Sequence, residues 1–293
     1  MMALAFERPT TERWAERRRR AVDLAERWSF AAEVLTFYAK VSEVEEAAYA
    51  AALESPVESV AAFAGERILP RLIEVAVADG PAPLSSAVLQ AFDRDDFAEI
   101  FAGWLRDEPL DAIARFVARA CCGPVLEALA ESRHDLPRLQ KHDDCCCPNC
   151  GGLPQLSFFA SSPEDLVTPH RYLECSRCAT AWGFPRMTCA GCGETDSAKL
   201  LVLGEVGTAQ GERSASIVKS QREQSAPGPT PPPTYFPHMR IDGCTSCKRY
   251  LLTVDLERDG RAVPVVDEIA ALPLTLYAQE RGLTKIVPNL MGF

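Results

Sequence analysis

Histidine is scarce in this chain, with only four in 293 residues. That leaves few imidazoles for general acid–base work or for a mixed nitrogen and sulfur metal shell. No run of 18 apolar residues occurs, so no segment reads as a membrane-spanning helix, and no stable membrane insertion is expected. Basic residues are in deficit, 31 against 41 acidic ones, for a net charge of −10. Residues 1–140 hold 16 basic and 24 acidic side chains and the remainder 15 and 17, so neither half offers an excess of positive charge to phosphates. No nucleic-acid partner is therefore expected. The start, Met1 to Glu7, lacks the pattern of a secretory signal, and the basic run Arg17 to Arg20 is followed by charged helical sequence rather than an apolar stretch. A cytoplasmic location follows as the expectation. That compartment favours reduced or metal-bound cysteines over disulfides.

Cysteine, by contrast, is abundant, at twelve. Eight form four Cys-x-x-Cys pairs: Cys147/Cys150, Cys175/Cys178, Cys189/Cys192 and Cys244/Cys247. The two-residue gap lets both thiolates of a tight turn point at one ion, and two such knuckles complete a tetrahedral four-sulfur shell. Two metal ions, iron or zinc, each bound by four cysteines, are expected; both metals accept this shell, and the sequence does not choose between them. Disulfides or redox dithiols are the competing readings for any one pair.

An internal repeat bears on which knuckles close together. Cys147-Pro-Asn-Cys150-Gly151 and Cys189-Ala-Gly-Cys192-Gly193 share a following glycine, whereas Cys175/Cys178 and Cys244/Cys247 lack it. The order A, B, A, B favours closing the first knuckle with the second and the third with the fourth. The rival joins the two middle knuckles, only ten residues apart, and loop length enters the free energy only logarithmically. Cys121 and Cys122 lie in an apolar helical context and read as small buried residues. Cys145 and Cys146 precede the first knuckle; Cys146 would not keep the two-residue gap to Cys150, so Cys147 is the better ligand, with the other two as spare thiols.

Residues 1–140 read as a helical domain. Helical segments are expected over Thr11–Ala39, from Ser55 (a capping box with Pro56 and Glu58), over Leu84–Leu105 with Val88, Leu89, Phe92, Phe97, Phe101 and Trp104 buried, and from Leu110 towards Cys122 with an interruption at Gly123-Pro124. Pro70 should kink or end the second of these. No catalytic constellation is visible there. From Asp143 onward short β-like runs alternate with the knuckles: 155–160, 171–174, 180–184, 199–203, 239–242 and 249–256. Short strands hung on metal knuckles suit rubredoxin-like or zinc-ribbon units, whose cores are too small to fold alone. The expected fold class is α+β: the helical domain, tandem rubredoxin-like metal-binding units at 141–186 and 187–260, and a C-terminal helix and tail at 261–293, with Gly282 stopping the helix. The stretch Gly204 to Pro237, which contains the proline-dense run Ser225 to Thr234, reads as a mobile insertion in the second unit.

Together these segments resemble a known family, the formate dehydrogenase accessory protein FdhE. The residues that carry the resemblance are Cys147-Pro-Asn-Cys150-Gly, Leu173-Glu-Cys175-Ser-Arg-Cys178 with Trp182, Cys189-Ala-Gly-Cys192, and Asp242-Gly-Cys244-Thr-Ser-Cys247-Lys-Arg-Tyr250. Val266 to Leu272 and Pro288-Asn-Leu290 resemble the family's closing segment. The triple cysteine at 145–147 and the proline-rich insertion depart from its pattern. The resemblance implies a cytoplasmic, non-enzymatic factor that binds the catalytic subunit of a respiratory formate dehydrogenase before export and supports its maturation. The molybdenum or tungsten and the selenocysteine or cysteine of that client belong to the client. Two other classes stand beside this one: a rubredoxin-like electron carrier, since an iron site can cycle one electron, and a zinc-ribbon nucleic-acid adaptor, which the acidic balance opposes. A hydrolase fits less well, because four thiolates fill the shell that a catalytic metal must leave open; His170 and His238, between knuckles, read as turn or surface residues.

Overall fold

The computed structural model describes residues 10–132, 134, 136–139, 144–160, 169–205 and 234–293. Most of the proline-rich stretch expected as an insertion lies outside the described residues.

Seven helices build the first part: α1 (Thr10–Arg27), α2 (Ala32–Glu54), α3 (Val60–Arg67), α4 (Leu69–Ala78), α5 (Ala82–Arg94), α6 (Phe97–Leu105) and α7 (Ala112–Glu131). Several differ from the sequence pattern for identifiable reasons. The expected segment 11–39 is two helices, separated at Trp28 and a 3-10 turn at Ser29–Ala31. Ser55 does not start a helix; it is the C-cap of α2, its N–H donating to the Ala51 carbonyl, and Ser59 is the N-cap of α3 instead, its Oγ accepting from the Ala62 N–H at 3.3 Å. Pro70 ends one helix and opens the next, sitting in the first turn of α4, where its missing N–H costs nothing. The 84–105 run breaks at Asp95-Asp96, because the Asp96 carboxylate accepts from the Ala98 and Glu99 N–H groups and starts α6 afresh. Leu89 and Phe92 are exposed, not buried. Helix α7 runs straight through Gly123-Pro124. A proline inside a helix costs about 3 kcal/mol. Burial of most of α7, from Ala114 to Leu129, offsets that cost.

The second part is one sheet of β1 (Pro154–Ala160), β2 (His170–Cys175), β3 (Ala181–Gly183), β4 (Leu200–Leu203), β5 (Met239–Cys244), β6 (Arg249–Asp255) and β7 (Thr284–Lys285). The strand order is β3-β2-β1-β6-β5-β4, with β7 beside β6. β1–β2–β3 and β4–β5–β6 are each antiparallel. The two triplets join through a parallel seam that pairs Ser157, Phe158 and Phe159 of β1 with Thr253, Val254 and Asp255 of β6. Each triplet has the same layout, and they lie side by side in the same orientation.

One face of the sheet carries Phe158, Ile241, Leu252 and Val254 into a core shared with the helices. Helices α8 (Pro264–Ala270) and α9 (Leu272–Glu280) close the chain, where one helix was expected; Pro273 opens α9 in its first turn. Gly282 has φ 72° and ends α9 as expected. Helix α8 packs against α1, α2, β1 and β6. It carries a buried ion network: Asp267 accepts from Arg20, His238 and the Val263 N–H, and Glu268 pairs with Lys285 at 2.7 Å.

Candidate metal centres

Each knuckle is a turn that must reverse immediately after its second cysteine. The next residue is left-handed in all four: Gly151 (φ 73°), Ala179 (φ 52°), Gly193 (φ 75°) and Lys248 (φ 56°). Glycine adopts this conformation without strain, which explains its presence in the first and third knuckles. Ala179 and Lys248 hold it at a cost of about 1–2 kcal/mol each. The hydrogen bonds of the two glycine knuckles repeat one another. Gly151 N–H bonds Cys147 O and Gly193 N–H bonds Cys189 O, both at 2.9 Å, while Cys147 and Cys189 donate to Gly152 O and Glu194 O, both at 2.8 Å.

Cys147, Cys150, Cys175 and Cys178 gather their sulfurs within 4.8 Å of one another, and so do Cys189, Cys192, Cys244 and Cys247. The sheet dictates this grouping, since each glycine knuckle leads into the first strand of a triplet and its partner lies between the second and third. The first knuckle faces the second, and the third faces the fourth. Sγ–Sγ distances are 3.7 Å for Cys147–Cys178, 3.4 Å for Cys150–Cys175, 3.7 Å for Cys189–Cys247 and 3.9 Å for Cys192–Cys244. A disulfide requires about 2.05 Å. Four sulfurs at about 2.3 Å from a central ion form a tetrahedron of edge about 3.8 Å. The thiols therefore fit a tetrahedral ion and not a bridge, and each group could hold iron or zinc.

Backbone donors point at the sulfurs. Gly152, Arg177 and Gly191 N–H groups lie 3.4, 3.4 and 3.3 Å from the sulfurs of Cys150, Cys175 and Cys189. Such donors favour the thiolate that a metal requires. Hydrogen bonds from the thiols of Cys150, Cys175 and Cys178 hold Cys147 far below its ordinary range, while burial drives Cys175 well above it.

The two groups differ in surroundings. All four cysteines of the first are buried, whereas in the second Cys192 is exposed and Cys247 half-buried. Arg177, inside the second knuckle, ties the first group to the helices: it donates to the Trp104 and Leu105 carbonyls at 3.0 and 2.9 Å, at the end of α6, and lies 4.9 Å from the Trp104 ring.

The remaining cysteines lie outside both groups. Cys121 and Cys122 are fully buried in α7, and burial pushes the Cys122 thiol up to about 12. Cys145 is buried, with its Sγ 3.6 Å from the Cys189 carbonyl, so it touches the backbone of the second group while preceding the first. His170 is exposed as expected, whereas His238, expected at a turn or the surface, is buried and held by Asp267 at 2.8 Å; neither joins a cysteine group. The buried charges around α8 escaped the sequence reading, although Asp267-Glu268 inside an apolar helix was a signal for them.

Comparison with known proteins bears on this arrangement. Residues 146–186 match the family model described as FdhE, central domain. A protein from Aquifex aeolicus named Protein FdhE homolog is 28% identical over 208 residues, covering 70% of this chain and 61% of that protein. One of the same name from Pseudomonas aeruginosa is 28% identical over 145 residues, 50% of this chain and 38% of that protein. The match thus spans under two thirds of either relative. The crystal structure of the FdhE protein from Pseudomonas aeruginosa shares the fold, with a TM-score of 0.62 over 97% of this chain and 96% of that one at 21% identity. Central domain, relatives and fold agree on FdhE as the family that this chain resembles.

Proposed function

We propose that this chain is a maturation factor for a respiratory formate dehydrogenase, binding its catalytic subunit in the cytoplasm and acting without chemistry of its own. The observation that carries this reading is the pair of four-thiol groups within an FdhE-like fold. The eight cysteines of the four knuckles are its metal ligands. A closed four-sulfur shell has no vacant position for a substrate, so a metal there would serve structure or electron transfer. Zinc would supply folding energy to strands that are otherwise short, and iron would add a one-electron couple.

The chain's own residues then provide a rigid platform. Left-handed turns fix the knuckles, Arg177 fastens the first group to α6, and the parallel seam joins both triplets in one sheet. The net charge of −10 opposes a nucleic-acid partner. The test is affinity capture with the tagged chain from formate-grown cells, with metal analysis of the captured protein. The expected result is co-purification of the catalytic polypeptide and about two metal ions per chain. Absence of that polypeptide from the captured material overturns the reading.

A second reading is electron transfer through the second group, which the exposure of Cys192 supports. Visible absorption of the aerobically purified protein separates the two, because a ferric four-sulfur site absorbs strongly and zinc does not.

A further inference from the structure

The sheet face opposite the helices holds a groove whose charge runs against that of the whole chain. Its cavity, about 220 Å³, lies beside the edge strand β4 and is lined in part by Cys189 and Ala190 of the third knuckle. Its apolar surface includes Phe159 and the side chains of Val202 and Met187, which are 53% and 57% exposed. Four guanidiniums line it: Arg171, Arg186, Arg240 and Arg249. The carboxylate among its lining residues is Asp242, already shared by Arg171 at 3.3 Å and Arg240 at 2.9 Å. Neither Arg186 nor Arg249 has a carboxylate partner among the described residues. Arg186 and Arg240 both lie over the Phe159 ring, at 4.8 and 4.7 Å from its centre. Burial lowers the proton affinity of Arg171, offset in part by Asp242, with Arg240 adding to the depression. The groove therefore holds more positive charge than its own residues neutralise.

We propose that this groove and the β4 edge dock an extended, acidic, partly apolar segment of a partner protein. β4 is the terminal strand of the sheet order, and among the described residues it pairs with β5 alone and no strand lies on its other edge, the side on which a segment would add by strand pairing. Guanidiniums favour carboxylates through paired hydrogen bonds, and alternate side chains of an added strand would point into the apolar floor. A cavity of about 220 Å³ is smaller than the roughly 300–1,000 Å³ of small-molecule sites. It suits one or two side chains of a continuous segment. A nucleic acid fits less well, since four arginines on a chain of net charge −10 make a local patch and not a track for a phosphate backbone. The inference rests on the reading of this chain as a client-binding factor and places the client's contact.

The test uses the metal-loaded, full-length protein and fluorescence anisotropy. The probes are an eight-residue peptide alternating Glu and Val, its Lys–Val counterpart, and a single-stranded oligonucleotide. The expected result is preference for the Glu–Val peptide. The double substitution Arg186→Glu with Arg249→Glu should lose at least about tenfold in affinity, and the corresponding double lysine variant, which keeps the charge but not the paired hydrogen bonds, should lose less than the charge-reversed protein. Both positions are exposed, and unchanged metal content and melting temperature verify the fold. No measurable binding of the Glu–Val peptide, tighter binding of the oligonucleotide, or equal affinity in the charge-reversed protein overturns the proposal. Capture of the formate dehydrogenase catalytic subunit by the same variants separates this inference from the reading beneath it. If the charge-reversed protein captures the subunit as well as the wild type does, the groove falls and the accessory reading stands. If the wild type captures none while the peptide behaves as expected, the accessory reading falls and the groove stands.

Discussion

Replacing Asp267 by alanine removes the acceptor at the centre of the contact between α1 and α8. Asp267 is 0% exposed and takes bonds from Arg20 at 2.9 and 2.5 Å, from His238 Nε2 at 2.8 Å and from the Val263 N–H at 2.8 Å. Deleting one partner of a buried ion pair costs about 3–5 kcal/mol, because the other charge stays buried without compensation. Arg20 retains Asp259 at 2.9 Å, so the expected loss lies in the lower part of that range, about 3 kcal/mol. In a chain of this size that corresponds to roughly 5–10 °C in melting temperature. Asp267→Asn keeps the shape and an acceptor for the Val263 N–H, and should cost about 1–2 kcal/mol. Urea and thermal denaturation of the metal-loaded protein measure both. A double-mutant cycle with Arg20→Ala should show a coupling of about 1–3 kcal/mol. An Asp267→Ala protein within about 1 kcal/mol of wild type would refute the reasoning and mean that Asp259 alone satisfies Arg20.

Three further outcomes are expected. A competing chelator should release metal in two phases, with the ion held by Cys189, Cys192, Cys244 and Cys247 leaving first because Cys192 is exposed; a single phase for all the metal, followed with a colorimetric chelator, would contradict this. Lys248→Gly should stabilise the protein by about 0.5–1 kcal/mol by relieving a left-handed residue, less the added freedom of the unfolded chain; a drop in the urea midpoint would contradict it. Burial raises the Glu45 carboxyl to about 7, with Arg17 opposing and Glu127 adding to the shift. The folded state therefore binds more protons than the unfolded state between about pH 4.5 and 7, and stability falls as pH rises through that window. Glu45→Gln should raise the urea midpoint at pH 8 and leave it nearly unchanged at pH 4.5, and the opposite order would count against the burial argument.

The metal groups were the most legible part of the sequence, because four Cys-x-x-Cys pairs in a repeated order suit two four-sulfur shells and the glycines marked which knuckles were alike. Gly151 and Gly193 announced their left-handed turns; Ala179 and Lys248 adopt the same conformation without any residue-type signal. Strand positions were close for the same local reason. The seam between β1 and β6 was not legible, since Ser157 and Thr253 meet across 96 residues and no local pattern specifies that contact. The capping box at Ser55 misled, because Ser59, four residues on, supplies the hydroxyl that caps α3. Pro124 shows the opposite failure: a local rule for breaking helices lost to burial on nearly every side of α7.

The most direct test of the proposed function is formate oxidation in a strain that lacks this chain, grown under respiratory conditions, with the catalytic polypeptide followed by immunoblot. The expected result is loss of formate dehydrogenase activity with the polypeptide still synthesised, and recovery when the wild-type chain is returned. Full formate dehydrogenase activity in the strain without this chain would contradict its role as an accessory factor.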